Sequence, residues 1–325
     1  MESTITKVAA GASLVTFLAI SYKKWQQNQI PRRWIQVGEI SDLYFFPIKS
    51  CGKLSTREVE CTKMGIKQQF LWDRSFMVIQ ESTNRFVTAR QFPALVKLMP
   101  KIKNESILTL SAPNMEEIEV DIAKVVAKNE VVKPGTWENV PMETLDCGDD
   151  VAKWLSMYIL KEEKGLRLVF YPLDYPTKPV YERSKNFPLA TSEHTGALHD
   201  ETSFMMINEA SVEDLNKKVD FTVTPLTFRP NLVLKGPNAF DEDNFKWVKI
   251  GDEIIMRVTQ QCLRCAFTVI DPETGERRSD GQPLKALKEY RQFPEYGTSP
   301  VMGIHLGLIN GGGKIRVGDP VFVQG

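Results

Sequence analysis

Residues 314–324, KIRVGDPVFVQ, read as two short strands, Lys314–Val317 and Val321–Gln324, set about a Gly-Asp turn. The same Gly-Asp chemistry recurs beside a strand at Lys249–Asp252. Moving outward, Ser203–Ile207, Leu232–Lys235, Glu253–Val258 and Phe267–Ile270 are further β-branched or aromatic runs, each bounded by turn residues. Two short helices are expected among them, near Ser211–Lys218 and Pro283–Arg291. Many short strands closed by Gly and Pro turns favour a barrel over a parallel sheet.

The chain before Pro172 repeats this style, with strands expected at Ile35–Tyr44, Ser75–Gln80, Ile107–Ser111, Ile118–Ile122 and Leu166–Tyr171. One helix stands out. Val151, Trp154, Leu155, Tyr158 and Ile159 recur at helical spacing, with Asp149 placed to cap the start and Gly165 to close the end. The class is therefore mainly β with some α. Between Pro172 and His199 the pattern stops, and Pro172, Pro176, Pro179 and Pro188 mark a linker or a loop facing a cofactor. At 325 residues the chain has room for about two domains. Its 41 basic and 41 acidic residues cancel, so nothing global points to nucleic acid. Five cysteines, an odd and sparse set, do not make a disulfide framework and suit a reducing, cytosol-facing compartment.

Val8 to Tyr22 carries no charge; Lys7 precedes it, and Lys23, Lys24, Arg32 and Arg33 follow. The run is short of the roughly 17–20 apolar residues of a full span. A secretory signal has its charge before the apolar core, and a buried helix has nothing obvious here to pack on. A short membrane anchor over residues 8–22, tethered through 23–36, fits the charge order best.

Residues 261–275, QCLRCAFTVIDPETG, hold the chemistry. A C-x-x-C pair alone is weak. Structural zinc needs four ligands, and no other cysteine or histidine pair stands at ligand spacing. A redox dithiol opens a helix, whereas a strand-like AFTVI follows here. Two buried cysteines on a strand are the plainest alternative. Against that stands Arg264, a guanidinium beside Cys265 that favours thiolate. Lys49, Arg74 and Arg229, each near a turn or strand end, together with Asp200, Thr202 and Asn231, would suit an anionic, heteroatom-rich cofactor if the fold brings them together.

FPIKSCG (46–52), LWDRSFMV (71–78), HDETSFMMINEAS (199–211), FRPNLV (228–233), RCAFTVIDPETG (264–275) and KIRVGDPVFV (314–323) resemble, in order, the motifs of MOSC-domain molybdenum-cofactor proteins. The short anchor before them is similar to that of the mitochondrial amidoxime-reducing components in that family. The resemblance implies a signal-anchor and tether at 1–33, a β-barrel-like N-terminal domain at 34–171, the loop at 172–199 and a MOSC β-barrel at 200–325. It implies molybdenum-molybdopterin as cofactor, with Cys265 as the catalytic, molybdenum-ligating thiolate. Lys49, Ser50, Arg74, Asp200, Thr202, Arg229, Asn231, Leu263 and Arg264 are the implied contacts to the pterin and its phosphate. Three positions depart from relatives: Val269, Leu263 and His305, the last standing where a Tyr contact occurs.

The implied activity is reduction of N-hydroxylated compounds, amidoximes and hydroxylamines to amidines and amines. No nicotinamide or flavin motif is present, so the implied electron source is cytochrome b5 and its NADH-dependent reductase. The implied location is the mitochondrial outer membrane with the body facing the cytosol; peroxisome and endoplasmic reticulum membranes are the alternatives. Two other functions share such a pocket: cofactor sulfur transfer, and a non-catalytic membrane-tethered carrier.

Overall fold

A computed structural model describes residues 29–135, 142–178, 191–310 and 312–325. Seven strands close into a ring: β1 (Trp34–Phe45), β2 (Phe204–Asn208), β3 (Leu232–Lys235), β4 (Trp247–Ile250), β5 (Ile254–Leu263), β6 (Val301–Leu308) and β7 (Pro320–Gln324). Their order is β3-β2-β6-β5-β4-β7-β1, and β1 pairs back onto β3 to shut the barrel. All neighbours run antiparallel except β2 and β3. Closure leaves no edge in the ring. It requires a close approach where β1 crosses β3: a Cβ on Gly38 would lie 2.0 Å from the Lys235 carbonyl oxygen.

β1 comes from the first half of the chain, so both halves build one barrel. Its register pairs Ile40 with Leu234 and Trp34 with Gln324. Three smaller sheets lie around it. Phe76–Gln80 pairs with Leu166–Phe170, which continues to Thr144–Asp146 and Val131–Val132. Glu58–Thr62 joins Gly65–Gln68 and Leu71–Trp72 and takes Gly313–Arg316 from the far end of the chain. Met99–Ile102, Ile107–Ser111 and Ile118–Asp121 form a meander. One apolar cluster runs through both halves, from Ile40, Phe45 and Leu71 to Leu168 and Val321.

The helix Asp149–Ile159 buries Val151, Trp154, Leu155 and Tyr158, the face that the spacing indicates. Its ends differ from expectation. Gly148 is the N-cap, and Asp149 is the first helical residue, its carboxylate accepting from Arg167 Nη2 at 2.8 Å. Leu160 is the C-cap; Gly165 instead precedes the strand Leu166–Phe170. The strand expected at Phe267–Ile270 is a 3₁₀ helix, Ala266–Val269. Thr268 explains it: both its N–H and its hydroxyl donate back to the Cys265 carbonyl, at 3.1 and 3.0 Å, a local bond that competes with strand pairing.

The anchor expected over 8–22 lies outside the described residues. Among the described residues no helix is long and apolar enough to cross a membrane.

Candidate functional site

The barrel wall and the turns that carry Lys49, Arg74 and Arg229 enclose a cavity of about 550 Å³. Such a volume suits a small-molecule or cofactor site. Lys49, Ser50, Arg74, Asp200, Thr202, Arg229, Asn231, Leu263, Arg264 and Cys265 all line it. Ten positions spread from 49 to 265 thus meet in one place.

On the turn side, Lys49 follows β1. Its buried ammonium donates to the Leu198 carbonyl at 2.6 Å and to Asp200 Oδ1 at 2.8 Å. Burial pushes its pKa down and Asp200 pulls it back. Three of the turn residues take the left-handed backbone that L side chains avoid: Ser50 (φ 68°), Arg74 (φ 49°) and Arg229 (φ 53°). Arg74 and Arg229 both lie against the Phe46 ring, 4.8 and 4.1 Å from its centroid. Arg229 Nη1 donates to the Cys51 carbonyl at 2.7 Å, while its buried Nη2 has no hydrogen-bond partner. Burial first, then the neighbouring Arg74, lower the Arg229 pKa to about 9. A buried cation beside another cation, with a donor to spare, is a place for an anion.

Asp73 holds the two sides together. It is fully buried, accepts from the Phe46 N–H at 2.7 Å and Asn231 Nδ2 at 3.0 Å, and pairs with the Arg74 guanidinium. His199 Nε2 lies 3.0 Å from its second oxygen. Burial alone would raise this carboxyl; Arg74, His199 and the Phe46 amide outweigh it and hold the pKa at about 2. Burial pushes His199 down to about 4, so a neutral imidazole donates its Nε2 proton to Asp73.

On the barrel side the polar groups are already bonded. Asn231 accepts from the Met205 N–H at 3.2 Å with the amide oxygen and gives its nitrogen to Asp73. Thr202 Oγ1 lies 3.0 Å from His305 Nδ1. His305 is directly opposite Met205 across β2 and β6, so the two share a face. Burial, then Arg264, push His305 to about 3, which makes it a neutral, hydrogen-bonded histidine that also lines the cavity.

Arg264 is bonded to backbone carbonyls, and its charge still interacts with Cys265. Its Nε and Nη1 donate to the Met302 and Phe228 carbonyls at 2.8 and 3.0 Å, and Nη2 also points at Met302. Cys265 is extended (φ −124°, ψ −178°), and both it and Arg264 line the cavity. A second cation reaches the thiol directly: Arg90, with Nη1 3.9 Å from Sγ. Its place in TARQF gives no such indication, because only folding brings residue 90 to residue 265. Asp73 and His199 are further site residues that sequence alone does not single out, although both lie inside the quoted motifs.

The two cysteines of C-x-x-C part company. Cys265 is exposed, whereas Cys262 is buried in an apolar cluster with Met205 and Met302, and burial pushes its thiol up to about 11. Neither a dithiol switch nor zinc fits that pair. Among the described residues no group of three His, Cys, Asp or Glu is placed to hold a metal ion. A metal on Cys265 would take its other ligands from the molecule that carries it.

Residues 37–162 match the MOSC N-terminal beta barrel domain and residues 193–322 the MOSC domain, which sets the class. The chain is 35% identical to "Mitochondrial amidoxime-reducing component 1" of Mus musculus, covering 100% of this chain and 93% of that one. It is 34% identical to the Homo sapiens protein of that name, over 98% of this chain and 92% of that one. Against "Mitochondrial amidoxime reducing component 2" of Homo sapiens the identity is 32%, over 97% and 91%. The chain belongs to the family of the mitochondrial amidoxime-reducing components.

Proposed function

We propose that the protein is a molybdenum-cofactor-dependent reductase that converts amidoximes and hydroxylamines to amidines and amines. The observation that carries this reading is an exposed thiol, Cys265, on a cavity walled by Lys49, Arg74, Arg90 and Arg229. A cationic wall with a spare buried donor on Arg229 suits a pterin phosphate, and an accessible soft thiol suits molybdenum. When bound, the cofactor supplies the two-electron chemistry that cleaves the N–O bond.

The chain's own residues bind and orient. Cys265 ligates the metal. Arg229, Arg74 and Lys49 hold the anionic end, with Asp73 fixing Arg74 and, through Asn231 and His199, the opposite wall. Ser50, Asp200, Thr202, Leu263 and Arg264 shape the pocket around the pterin. Arg90 stands at the thiol and counters its charge. Electrons come from cytochrome b5 and its NADH-dependent reductase. Residues 8–22 anchor the protein in the mitochondrial outer membrane with the body in the cytosol, a location supported by the basic residues after the run and by the mitochondrial naming of its relatives.

The test is the molybdenum and pterin content of protein made in a cofactor-competent host, beside a Cys265→Ser variant. About one molybdenum per chain, with altered metal coordination and lost amidoxime reduction in the variant, supports the reading. Folded protein without molybdenum ends it.

A further inference from the structure

Beside the cationic cavity lies a second one of about 380 Å³. Val96, Met99 and Ala112 from the first half meet Leu226, Phe267 and Ile270 from the second to give it an apolar lining. Thr227, Arg229 and Phe267 line both cavities, so they form the wall between them. The chain also joins the two along its surface: Cys265 and Ala266 are exposed and Phe267 is half-buried, giving a lip from the thiol to the second cavity.

The first cavity is walled by cations, whereas the second is mostly apolar, with Lys53, Lys97 and Glu273 also on its lining. An aryl or alkyl group in the first would lie against the buried, unpartnered Nη2 of Arg229 and return no hydrogen bond. In the second the same group meets apolar carbon. With the cofactor in the first cavity, a molecule whose reducible polar head lies at Cys265 would reach the second cavity along this lip with its apolar body. We infer that the second cavity binds the apolar body of the N-hydroxylated substrate, with Thr227 and Phe267 as the step between body and head. This rests on the reductase reading above.

Selectivity then follows from burial. Each methylene added to the substrate body is expected to lower KM about fourfold until the cavity is full. The experiment uses the molybdenum-loaded full chain with an artificial reductant. The substrates are hydroxylamine, which has no body, and 4-alkylbenzamidoximes from methyl to butyl. Ala112→Phe, which fills the second cavity, is expected to raise the butyl-to-methyl KM ratio by about tenfold or more. Ser111→Phe, on the same lining, replaces it if that variant loses its fold. Binding of 4-butylbenzamidine, which has no N–O bond to reduce, is followed by calorimetry and weakens in the same variants.

A KM series that falls with chain length and flattens in the variants supports the inference. Reduction of hydroxylamine and of every benzamidoxime with no dependence on tail length overturns it and leaves the reductase reading intact. If loaded, folded protein reduces none of these compounds, the reductase reading fails and the inference with it.

Discussion

The two walls of the cationic cavity are built on different terms. The barrel wall spends its polar groups on the protein: Arg264 on the Met302 and Phe228 carbonyls, Asn231 on Met205 and Asp73, His305 on Thr202. The turn wall holds Ser50, Arg74 and Arg229 in left-handed backbone and leaves one buried donor of Arg229 without a partner. Strained turns with unspent donors are where ligand affinity resides, and a pre-bonded wall keeps them in register. Stability should accordingly reside in the barrel wall and in Asp73, and cofactor retention in the turns.

The largest effect expected is from Asp73→Ala, which strands Arg74 and unties the two walls. A loss of about 3–5 kcal/mol in urea unfolding follows from breaking a buried ion pair on one side. A value below 1 kcal/mol would show that the walls stand independently. Next is acid. His199 and His305 titrate at about 4 and about 3 in the fold, below the ordinary 6.5, so the unfolded chain takes up protons that the folded chain refuses. Stability should fall as pH drops below 6.5 towards 4, with His194, also pushed down by burial, adding to the loss, read from denaturation midpoints. The Asp73 contribution acts in a separate, lower window, present above pH 3.8 and lost as pH falls towards 2.

Arg264→Met comes third. It leaves the Met302 and Phe228 carbonyls without their donor and should cost about 1–3 kcal/mol. Arg229→Gly is the smallest: relief of the left-handed backbone offsets the lost contacts, for a net change within about 1 kcal/mol. Its cofactor content, measured as molybdenum and pterin per chain, should drop even so. Equal destabilisation by the last two variants would erase the distinction between the walls.

Much of the site was legible because its motifs are local. FPIKSCG, LWDRSF and FRPN each put a basic residue beside a turn, and turns are where backbone and side chains are free to face a ligand. Arg264 was legible beside Cys265, but its bonds to the Met302 and Phe228 carbonyls were not, because those partners lie 38 and 36 positions away. Arg90 was invisible for the same reason, its partner Cys265 lying 175 positions away. β6 went unread because Gly303, His305 and Gly307 break its apolar pattern, although all eight of its residues are buried. A Cβ on Gly303 (φ 75°) would lie 2.5 Å from the Met206 carbonyl oxygen, a requirement that exists only once β2 is in place.

By itself the sequence determined the strand-rich class, the helical face of Val151, Trp154, Leu155 and Tyr158, and the identity of the residues that carry charge and thiol, since these depend on composition and short-range periodicity. The tertiary structure alone decided that β1 closes a barrel made of later strands, that Asp73 binds both walls, and that Arg90 joins Arg264 at Cys265. Those outcomes turn on contacts between distant segments and on burial, and neither is encoded in the spacing of neighbours along the chain.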